Sequence, residues 1–292
     1  GSAEPWQDFD WRNALVLSTR KQIERFYHPI MEIKDARGEP HDIDRWLASR
    51  LQSHIARTTD ALDNFQTRQA LQEAYFGIET DLKWYRRRLP KDCDGSRELH
   101  TLCSVWVRLL APFIPFTAEH LWKEIAAEGL VSFAPWPVAD AHQVNAKTEL
   151  AEDLLFRTVE DIESIKKLIQ ITPKSITIAL APEWKHEIFR MIAKSDDRNT
   201  VVKEIMKDES MRKRGKAATD AARQITTLIH RLPPQVVAPL AQDPINEHAV
   251  FNGAKAFLEH EFGVTVHITD AESGVHMKAA TALPFKPAII IE

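Results

Sequence analysis

Leu110-Ala-Pro-Phe-Ile-Pro-Phe-Thr-Ala-Glu-His-Leu-Trp122 is the stretch that says most about the fold of this chain. Pro112 and Pro115 interrupt a helical pattern, and proline ends or kinks a helix because it lacks an N–H and clashes with the preceding turn. Thr117 is a residue type that caps helices, so we expect a new helix to begin there. The stretch therefore predicts two helices joined at a proline-marked bend.

The apolar side chains of this stretch are expected to lie in a core. Phe113, Phe116 and Trp122 are large enough to fill the space beside the bend, where their rings would be removed from water. The new helix also carries Leu121 and Ile125 at helical spacing. The motif is thus interpreted first as a structural one.

The chain before this stretch is also helical in pattern, with breakers between the segments. Starting after Asp42, a good N-cap residue, one apolar face holds Leu47, Leu51, Ile55, Leu62 and Phe65. A second apolar face holds Leu99, Leu102, Cys103, Trp106, Val107 and Leu110. We predict an antiparallel bundle of about four or five helices, and we place this domain at residues 3–140.

A second domain is expected at residues 145–292, after a linker marked by Pro135, Pro137 and the polar residues 140–145. It opens with a long helix and then changes character. Short β-branched runs predict strands at 175–181, 264–268 and 288–291. Helices are expected at 183–193, 201–207, 220–231 and 247–262. The predicted fold class is mainly α, with a helical bundle followed by a small α+β domain.

Composition and charge exclude several classes of protein. Hydrophobic residues at 44% and charged residues at 27% are typical of globular domains. No apolar run reaches the roughly 18 residues of a membrane span, so we expect a cytoplasmic protein without a membrane partner. The formal charge of −4 argues against a protein that coats nucleic acid indiscriminately. Any contact with RNA is therefore expected to be local.

The sequence offers no motif for catalysis or for a metal. Its nine glycines are scattered singly, which excludes a dinucleotide fingerprint and a phosphate-binding P-loop. Cys93 and Cys103 do not have a zinc-site spacing. The run His186-Glu-Ile-Phe-Arg190 begins like the zinc-binding helix of metalloproteases, but Arg190 stands where the second zinc-binding histidine is required. We expect no catalytic residue, no metal and no cofactor in this chain.

One candidate binding surface is the basic run Lys83-Trp-Tyr-Arg-Arg-Arg88, followed by Lys91. Its cations are Lys83, Arg86, Arg87, Arg88 and Lys91. They suit RNA phosphates, and the two aromatic residues would stack on bases. The alternative is that the cations complement a helix dipole before Pro90 while Trp84 packs in the core.

A second candidate surface lies in residues 201–232, which hold eight Lys or Arg and four Asp or Glu. The densest part contains Arg212, Lys213, Arg214 and Lys216, just before an expected helix. Backbone donors at a helix start, together with four cations, suit a phosphate backbone. The alternative is a solvated loop, as most charge runs are.

Residues 110–122 resemble the helical tRNA-binding domain shared by leucyl-, isoleucyl-, valyl- and methionyl-tRNA synthetases of class I. Further segments are similar to the archaeal and eukaryotic type of leucyl enzyme. They are Asp10-Trp-Arg12, Arg20 to Tyr27, Lys83 to Arg87 and the C-terminal stretch Leu283-Pro-Phe-Lys-Pro-Ala-Ile-Ile-Ile-Glu292. The resemblance spans nearly the whole chain.

The resemblance implies that this chain is the C-terminal, tRNA-binding part of such an enzyme. The H-I-G-H and K-M-S-K-S motifs of adenylation are absent from the sequence. Leucine activation, the binding of ATP and Mg²⁺, and editing are therefore expected in domains of the same protein that precede Ala3. The chain itself would position leucine tRNA and perform no chemistry.

The leucyl family holds tRNA by its body and by its long variable arm. The resemblance thus implies that the bundle docks at the inner corner of the tRNA, where Arg86, Arg87 and Arg88 contact the backbone. It also implies that the α+β domain reaches the variable arm. There the main-chain groups of Ile289, Ile290, Ile291 and Glu292 would meet exposed bases.

Three other functions remain open at this point. The first is the equivalent part of an isoleucyl or valyl enzyme, in which the bundle reads the anticodon. The second is a freestanding RNA-binding or scaffold protein, which the length of the parent gene would reveal. The third is a hydrolase assembled from dispersed His and Asp residues.

Overall fold

A computed structural model describes residues 6–8, 12–90, 93, 95–96, 98–125, 127–170, 173–195, 204–205, 207–232, 234–272 and 276–292. Helices dominate, and three strands form one small sheet. This confirms the predicted fold class. The chain folds into two compact units, unit 1 (Gly1–Glu149) and unit 2 (Leu150–Glu292). The division falls inside a helix, shortly after the linker expected at 140–145.

Unit 1 is built from helices joined by short connections. They are α1 (Asn13–Ile33), α2 (Asp42–Asp63), α3 (Thr67–Leu71), α4 (Ile78–Arg88), α5 (Glu98–Leu110) and α6 (Pro115–Glu124). A π-helical segment (Gln72–Gly77) joins α3 to α4. Single 3-10 turns occur at Val131–Phe133 and Ala141–Gln143.

Two helix starts differ from the predicted caps, by one residue for α2 and by three for α6. The residue before α2 is His41, and Asp42 is already helical; the backbone N–H of His41 donates to Asp44 at 2.7 Å. Helix α6 begins at Pro115, so Thr117 lies inside it. Proline is favoured at a first helical position because its φ is preset and it has no N–H that requires a cap.

The core of unit 1 surrounds Trp106 on α5, which is fully buried. Its indole N–H donates to the carbonyl oxygen of Ala74 at 2.7 Å, so burial leaves this donor satisfied. The ring of Phe26 on α1 meets it edge-on, with 4.8 Å between centroids. One side chain thereby ties α1 and the π-helical segment to α5.

The proline-marked bend exists, but one of its aromatic residues lies elsewhere than the sequence pattern predicted. Trp122 is buried and Phe113 is half-buried, whereas the side chain of Phe116 is 92% exposed. Ala118 and Leu121 form the buried face of α6. Phe116 lies on the opposite face because successive helical residues turn by about 100°. The expectation that Phe116 fills the core was wrong.

Unit 2 contains helices and the sheet. Its helices are α7 (Ala146–Ile169, which begins in unit 1), α8 (Glu183–Lys194), α9 (Glu209–Arg214), α10 (Lys216–Arg231), α11 (Pro234–Gln242), α12 (Glu247–Gly253) and α13 (Lys255–Phe262). The single helix expected at 247–262 is broken at Ala254. The helix expected at 201–207 falls largely outside the described residues.

The strands are β1 (Ser175–Leu180), β2 (Thr265–Asp270) and β3 (Ala288–Ile291), in the order β2-β1-β3. Strand β1 runs parallel to β2 and antiparallel to β3. Ile178 therefore pairs with Ile268 on one side and with Ile289 on the other. The last strand of the chain is thus hydrogen-bonded into the sheet.

One apolar cluster of unit 2 lies where α8 packs on α10. It includes Ile188 and Ile192 from α8 with Ile225 and Ile229 from α10, all buried. Within the described ranges, no helix combines the length and the apolar character that crossing a membrane requires.

Candidate nucleic-acid-binding surfaces

The basic end of α4 turns its aromatic residues inward and its cations outward. Trp84 and Tyr85 are buried, and the Tyr85 hydroxyl donates to Asp44 at 2.6 Å. Burial, and then the adjacent Asp44, raise the pKa of Tyr85 to about 12. The expectation that these rings stack on bases was wrong, because the 3.6-residue helical period places them against the core.

The cations of α4 have acidic partners at the surface. Lys83 Nζ lies 3.0 Å from Glu79 one turn away, and Arg86 Nη2 lies 2.7 Å from Glu32 on α1. Both cations are exposed. Exposed ion pairs are worth about 0–1 kcal/mol, so a phosphate can replace the carboxylate at small cost. The pairing is thus compatible with binding an anion.

Arg87 and Arg88 are half-buried and complete the last turn of α4. The guanidinium of Arg87 lies over the Trp84 ring, 5.7 Å from its centroid. The helix ends before Pro90, which disfavours helical backbone in the residue preceding it. Lys91, the last predicted member of this surface, lies outside the described residues.

The second predicted surface has a different geometry from the one expected. Arg212, Lys213 and Arg214 form the last turn of α9, and Gly215 joins α9 to α10 with a φ of +54°. Of the four cations, Lys216 alone stands at a helix start. The other three neutralise the negative end of a helix dipole, and the expected anion site at a helix N-terminus was wrong for them.

Two of these cations are also held by acidic side chains. Lys213 pairs with Glu209 one turn away at 2.9 Å. Arg214 Nη1 lies 2.6 Å from Glu272, and its guanidinium covers the ring of Trp184 at 4.7 Å. The Trp184 indole N–H donates to the same carboxylate at 2.8 Å. This hydrogen bond, followed by the one from Arg214, lowers the pKa of Glu272.

The predicted tail residues are held in the sheet. Ile289 and Ile290 are buried, Ile291 is half-buried and Glu292 is exposed. Ser175 and Glu292 exchange backbone hydrogen bonds of 3.1 Å, and the N–H of Lys174 also donates to the Glu292 carbonyl. The side chains of Ile289 and Ile290 are therefore buried, and the backbone N–H and carbonyl of Glu292 are already bonded, which leaves the exposed side chain of Glu292 and the half-buried side chain of Ile291 at the end of a fixed strand.

A buried polar network behind α4 was not predicted from the sequence. His54 on α2 lies 2.9 Å from Asp81 on α4 and 3.1 Å from Glu73. Arg50 Nε donates to Asp81 at 2.8 Å. Burial acts to lower the pKa of His54, but the hydrogen bonds to the two carboxylates outweigh it, and the pKa is raised. The network fixes the position of α4 on α2.

The network left a weak signal in the sequence. Arg50 and His54 are one helical turn apart, beside the apolar positions Leu47, Leu51 and Ile55. A polar pair at that spacing indicates a partner on a facing helix, but local pattern does not identify the partner. Asp81 is 27 residues away from His54.

Helix α8 carries the histidine whose sequence pattern begins like that of a metalloprotease. His186 and Arg190 both lie on this helix, and Arg190 pairs with Glu183 at 2.7 Å. Among the residues that the structure describes, no group of three or more His, Cys, Asp or Glu side chains could hold a metal ion.

The model of the "Anticodon-binding domain of tRNA ligase" matches residues 44–180. Curated leucine–tRNA ligases of Pyrococcus abyssi and Methanothrix thermoacetophila are both 37% identical to this chain, over 99% and 100% of it. That of Methanosarcina mazei is 32% identical over 100% of the chain. The chain spans only about 30% of the length of these relatives: the matches cover 30%, 31% and 31% of them, respectively.

A solved ternary complex of an Agrobacterium radiobacter K84 LeuRS with tRNA and LeuAMS has a TM-score of 0.39 and 22% identity, covering 47% of this chain and 18% of that one. That similarity is too weak to support a conclusion. The matches to curated relatives confirm the resemblance to leucyl-tRNA synthetases that residues 110–122 and the C-terminal stretch indicated.

Proposed function

Because this chain matches the C-terminal part of archaeal leucyl-tRNA synthetases over nearly its whole length, we propose that it binds leucine tRNA and positions it for aminoacylation. In this proposal, other domains of the same protein bind ATP and Mg²⁺, activate leucine and edit. The cytoplasm is the location that this function requires.

The exposed basic end of α4 is the observation that carries the proposal. Two of its cations are exposed and paired with surface carboxylates, while the helix beneath them is fixed by Trp84, Tyr85 and the His54 network. A rigid support lowers the entropic cost of placing Arg86 on a phosphate. We assign this end of α4 to the inner corner of the tRNA.

The tail and α9 supply the second half of the proposal. Ile291 and Glu292 end a strand whose backbone is fixed by β1, and they are assigned to the long variable arm. Arg212 and Lys216 are exposed beside the paired cations Lys213 and Arg214, and they are assigned to the phosphates of the same arm.

The test of the α4 assignment is the salt dependence of tRNA binding. Each bound phosphate releases counterions, so replacing Arg86, Arg87 and Arg88 by Ala should weaken binding. The log–log slope should fall by roughly 0.7–0.9 for each phosphate that is no longer bound. Filter binding of leucine tRNA between low and moderate salt measures both quantities.

The matched control is Arg20→Ala, which removes an exposed arginine that pairs with Glu24 on α1 at 3.0 Å. It should leave the slope closer to that of the unaltered chain. A slope that does not change in the triple variant would show that the arginines only complete a helix terminus. Equal binding of an isoleucine tRNA would favour the isoleucyl alternative.

A further inference from the structure

A buried carboxyl group lies against the turn that precedes the tail. Glu247 is the first residue of α12, and only 4% of it is exposed. One of its oxygens, Oε1, accepts the backbone N–H of Phe285 at 2.7 Å. The hydrogen bond joins residues 38 positions apart and thus connects α12 to the segment that leads into β3.

The turn at Phe285 has an unusual backbone. Leu283 and Lys286 exchange two backbone hydrogen bonds of 2.9 Å, and Phe285 between them has a φ of +59°. A residue with a Cβ is disfavoured in this left-handed region, so the surroundings must hold it there. Besides Glu247, those surroundings are the rings of Phe189 at 5.1 Å and His186 at 5.7 Å, both met edge-on.

Attraction to a helix dipole does not account for this carboxyl group. Acidic residues in a first helical turn are ordinarily exposed, and they gain from the dipole while ionised. Asn246 already caps α12, because its side chain accepts the N–H of Ala249 at 3.0 Å. Glu247 points instead to another segment of the chain, and burial makes its ionised form costly.

The electrostatic surroundings of Glu247 favour its neutral form. Burial raises its pKa to about 7, although the hydrogen bond from Phe285 opposes this. His186 Nε2 lies 3.5 Å from Oε1, and burial lowers the pKa of this histidine. Glu183 and Arg190 on α8 and His248 on α12 also act on His186. In the described part of the chain, Oε2 of Glu247 has no hydrogen-bond partner.

We propose that Glu247 is a positioning residue for the C-terminal tail: its carboxyl group holds the turn at Phe285 and thereby fixes where β3 begins. Only Lys286 and Pro287 separate this turn from Ala288, the first residue of β3, and the proline ring restricts that connection. The role of the tail in binding RNA rests on the proposed function, whereas the anchoring of the turn does not.

The proposal predicts a pH dependence with a definite sign. The turn is closed while Phe285 is bonded to Glu247 and open when that bond is broken and Glu247 is hydrated. Between the ordinary glutamate pKa of 4.5 and about 7, Glu247 is protonated in the closed form and ionised in the open form. The equilibrium constant for closing the turn is therefore largest below this window, and it falls by roughly tenfold per pH unit as the pH rises through the window. Above about pH 7 both forms are ionised, and the dependence levels off.

The experiment is amide hydrogen exchange of residues 285–292 between about pH 5 and pH 8, corrected for the intrinsic rates. Glu247→Gln keeps the shape and an acceptor for Phe285 but cannot ionise, so closure of the turn should no longer weaken as the pH rises. Glu247→Ala removes the acceptor and should increase opening at least about tenfold at about pH 5–6, where the unaltered turn is closed.

Glu259→Gln is the matched control. The Glu259 carboxylate also accepts a backbone N–H in unit 2, that of Val266 at 3.2 Å, but this amide belongs to β2. The Glu259→Gln variant should therefore show the same pH dependence of amide exchange in the tail as the unaltered chain. If Glu247→Ala fails to fold, the Gln variant, which retains the shape of the side chain, still decides the matter.

Tail exchange that is the same in the Gln variant and the unaltered chain at every pH would overturn the proposal. Binding of leucine tRNA, with and without its long variable arm, separates this inference from the proposed function. A tail that loosens in Glu247→Ala without loss of affinity supports the positioning role and contradicts RNA binding by the tail.

Discussion

At the scale of single residues, His54 and Gly77 show how closely α2 and the π-helical segment approach. A Cβ placed on Gly77 would lie 2.5 Å from Cε1 and 2.9 Å from Nδ1 of His54. The ring cannot move away easily, because its nitrogens are hydrogen-bonded to Glu73 and Asp81. Glycine is thus required at position 77 for packing and not for its backbone freedom.

Gly77→Ala should therefore destabilise unit 1. Alanine favours helix by about 1 kcal/mol over glycine, but an added methyl group in a tightly packed site costs about 1–3 kcal/mol and here also disturbs the His54 hydrogen bonds. Urea unfolding should show a lower midpoint, with a net loss on the order of 1 kcal/mol.

The control is Gly253→Ala at the end of α12, where an added Cβ meets no atom within 4 Å. This variant should be neutral or slightly stabilising, since only the helix propensity changes. A Gly77→Ala protein as stable as the Gly253→Ala protein would show that the His54 ring adapts.

At the scale of elements, β3 has two roles that can be separated. Ile289 and Ile290 are buried on opposite faces of the sheet, whereas Ile291 and Glu292 close its last backbone pairs with half-buried and exposed side chains. Chain ends usually fray unless hydrogen bonds or packing hold them. In this chain β1 and Glu247 both hold the last segment, so its end is presented in one conformation.

Deleting Ile291 and Glu292 should leave the fold intact and weaken the binding of leucine tRNA. The deletion removes the backbone bonds of Glu292 to Ser175 and one strand pair, Ile176 with Ile291, but no fully buried side chain. Thermal unfolding and filter binding, each with and without the variable arm, measure the two effects.

The arm-less tRNA is the control for the tail deletion. The affinity of the unaltered chain for it should already be low, and the deletion should lower it no further. An equal loss of affinity for both tRNAs, together with a lower melting temperature, would mean that the last two residues only complete the sheet.

At the scale of the whole molecule, each unit has its own core and its own candidate surface. Unit 1 presents the basic end of α4, and unit 2 presents α9 and the tail. The sequence contains no P-loop or dinucleotide fingerprint, so neither surface has a phosphate-cradling loop of those kinds.

The chain by itself should not catalyse leucine-dependent exchange of pyrophosphate into ATP. The activity is expected in the domains that the curated relatives have over the remainder of their length. A full-length leucine–tRNA ligase from one of those relatives, assayed in parallel, is the positive control. Exchange above background by the isolated chain would contradict the proposed division of labour.

The sequence by itself indicated many of the helices, the three strands and the resemblance to the leucyl family, but not the break at Ala254 or the helices α9 and α11. Apolar spacing and proline positions are local, so they indicated α2, α5 and the bend before α6. The β-branched runs likewise indicated all three strands. The strands themselves lie where they were predicted to within two residues, because turn and strand preferences act over a few residues.

Only the tertiary structure decided which side chains are buried and which distant residues meet. Phe116 is exposed and Trp84 is buried, although both are aromatic residues in helical patterns. The hydrogen bond between Glu247 and Phe285 spans 38 residues. Local propensity carries no information about such pairs, because they form only when packed elements bring separate segments together and remove their polar groups from water.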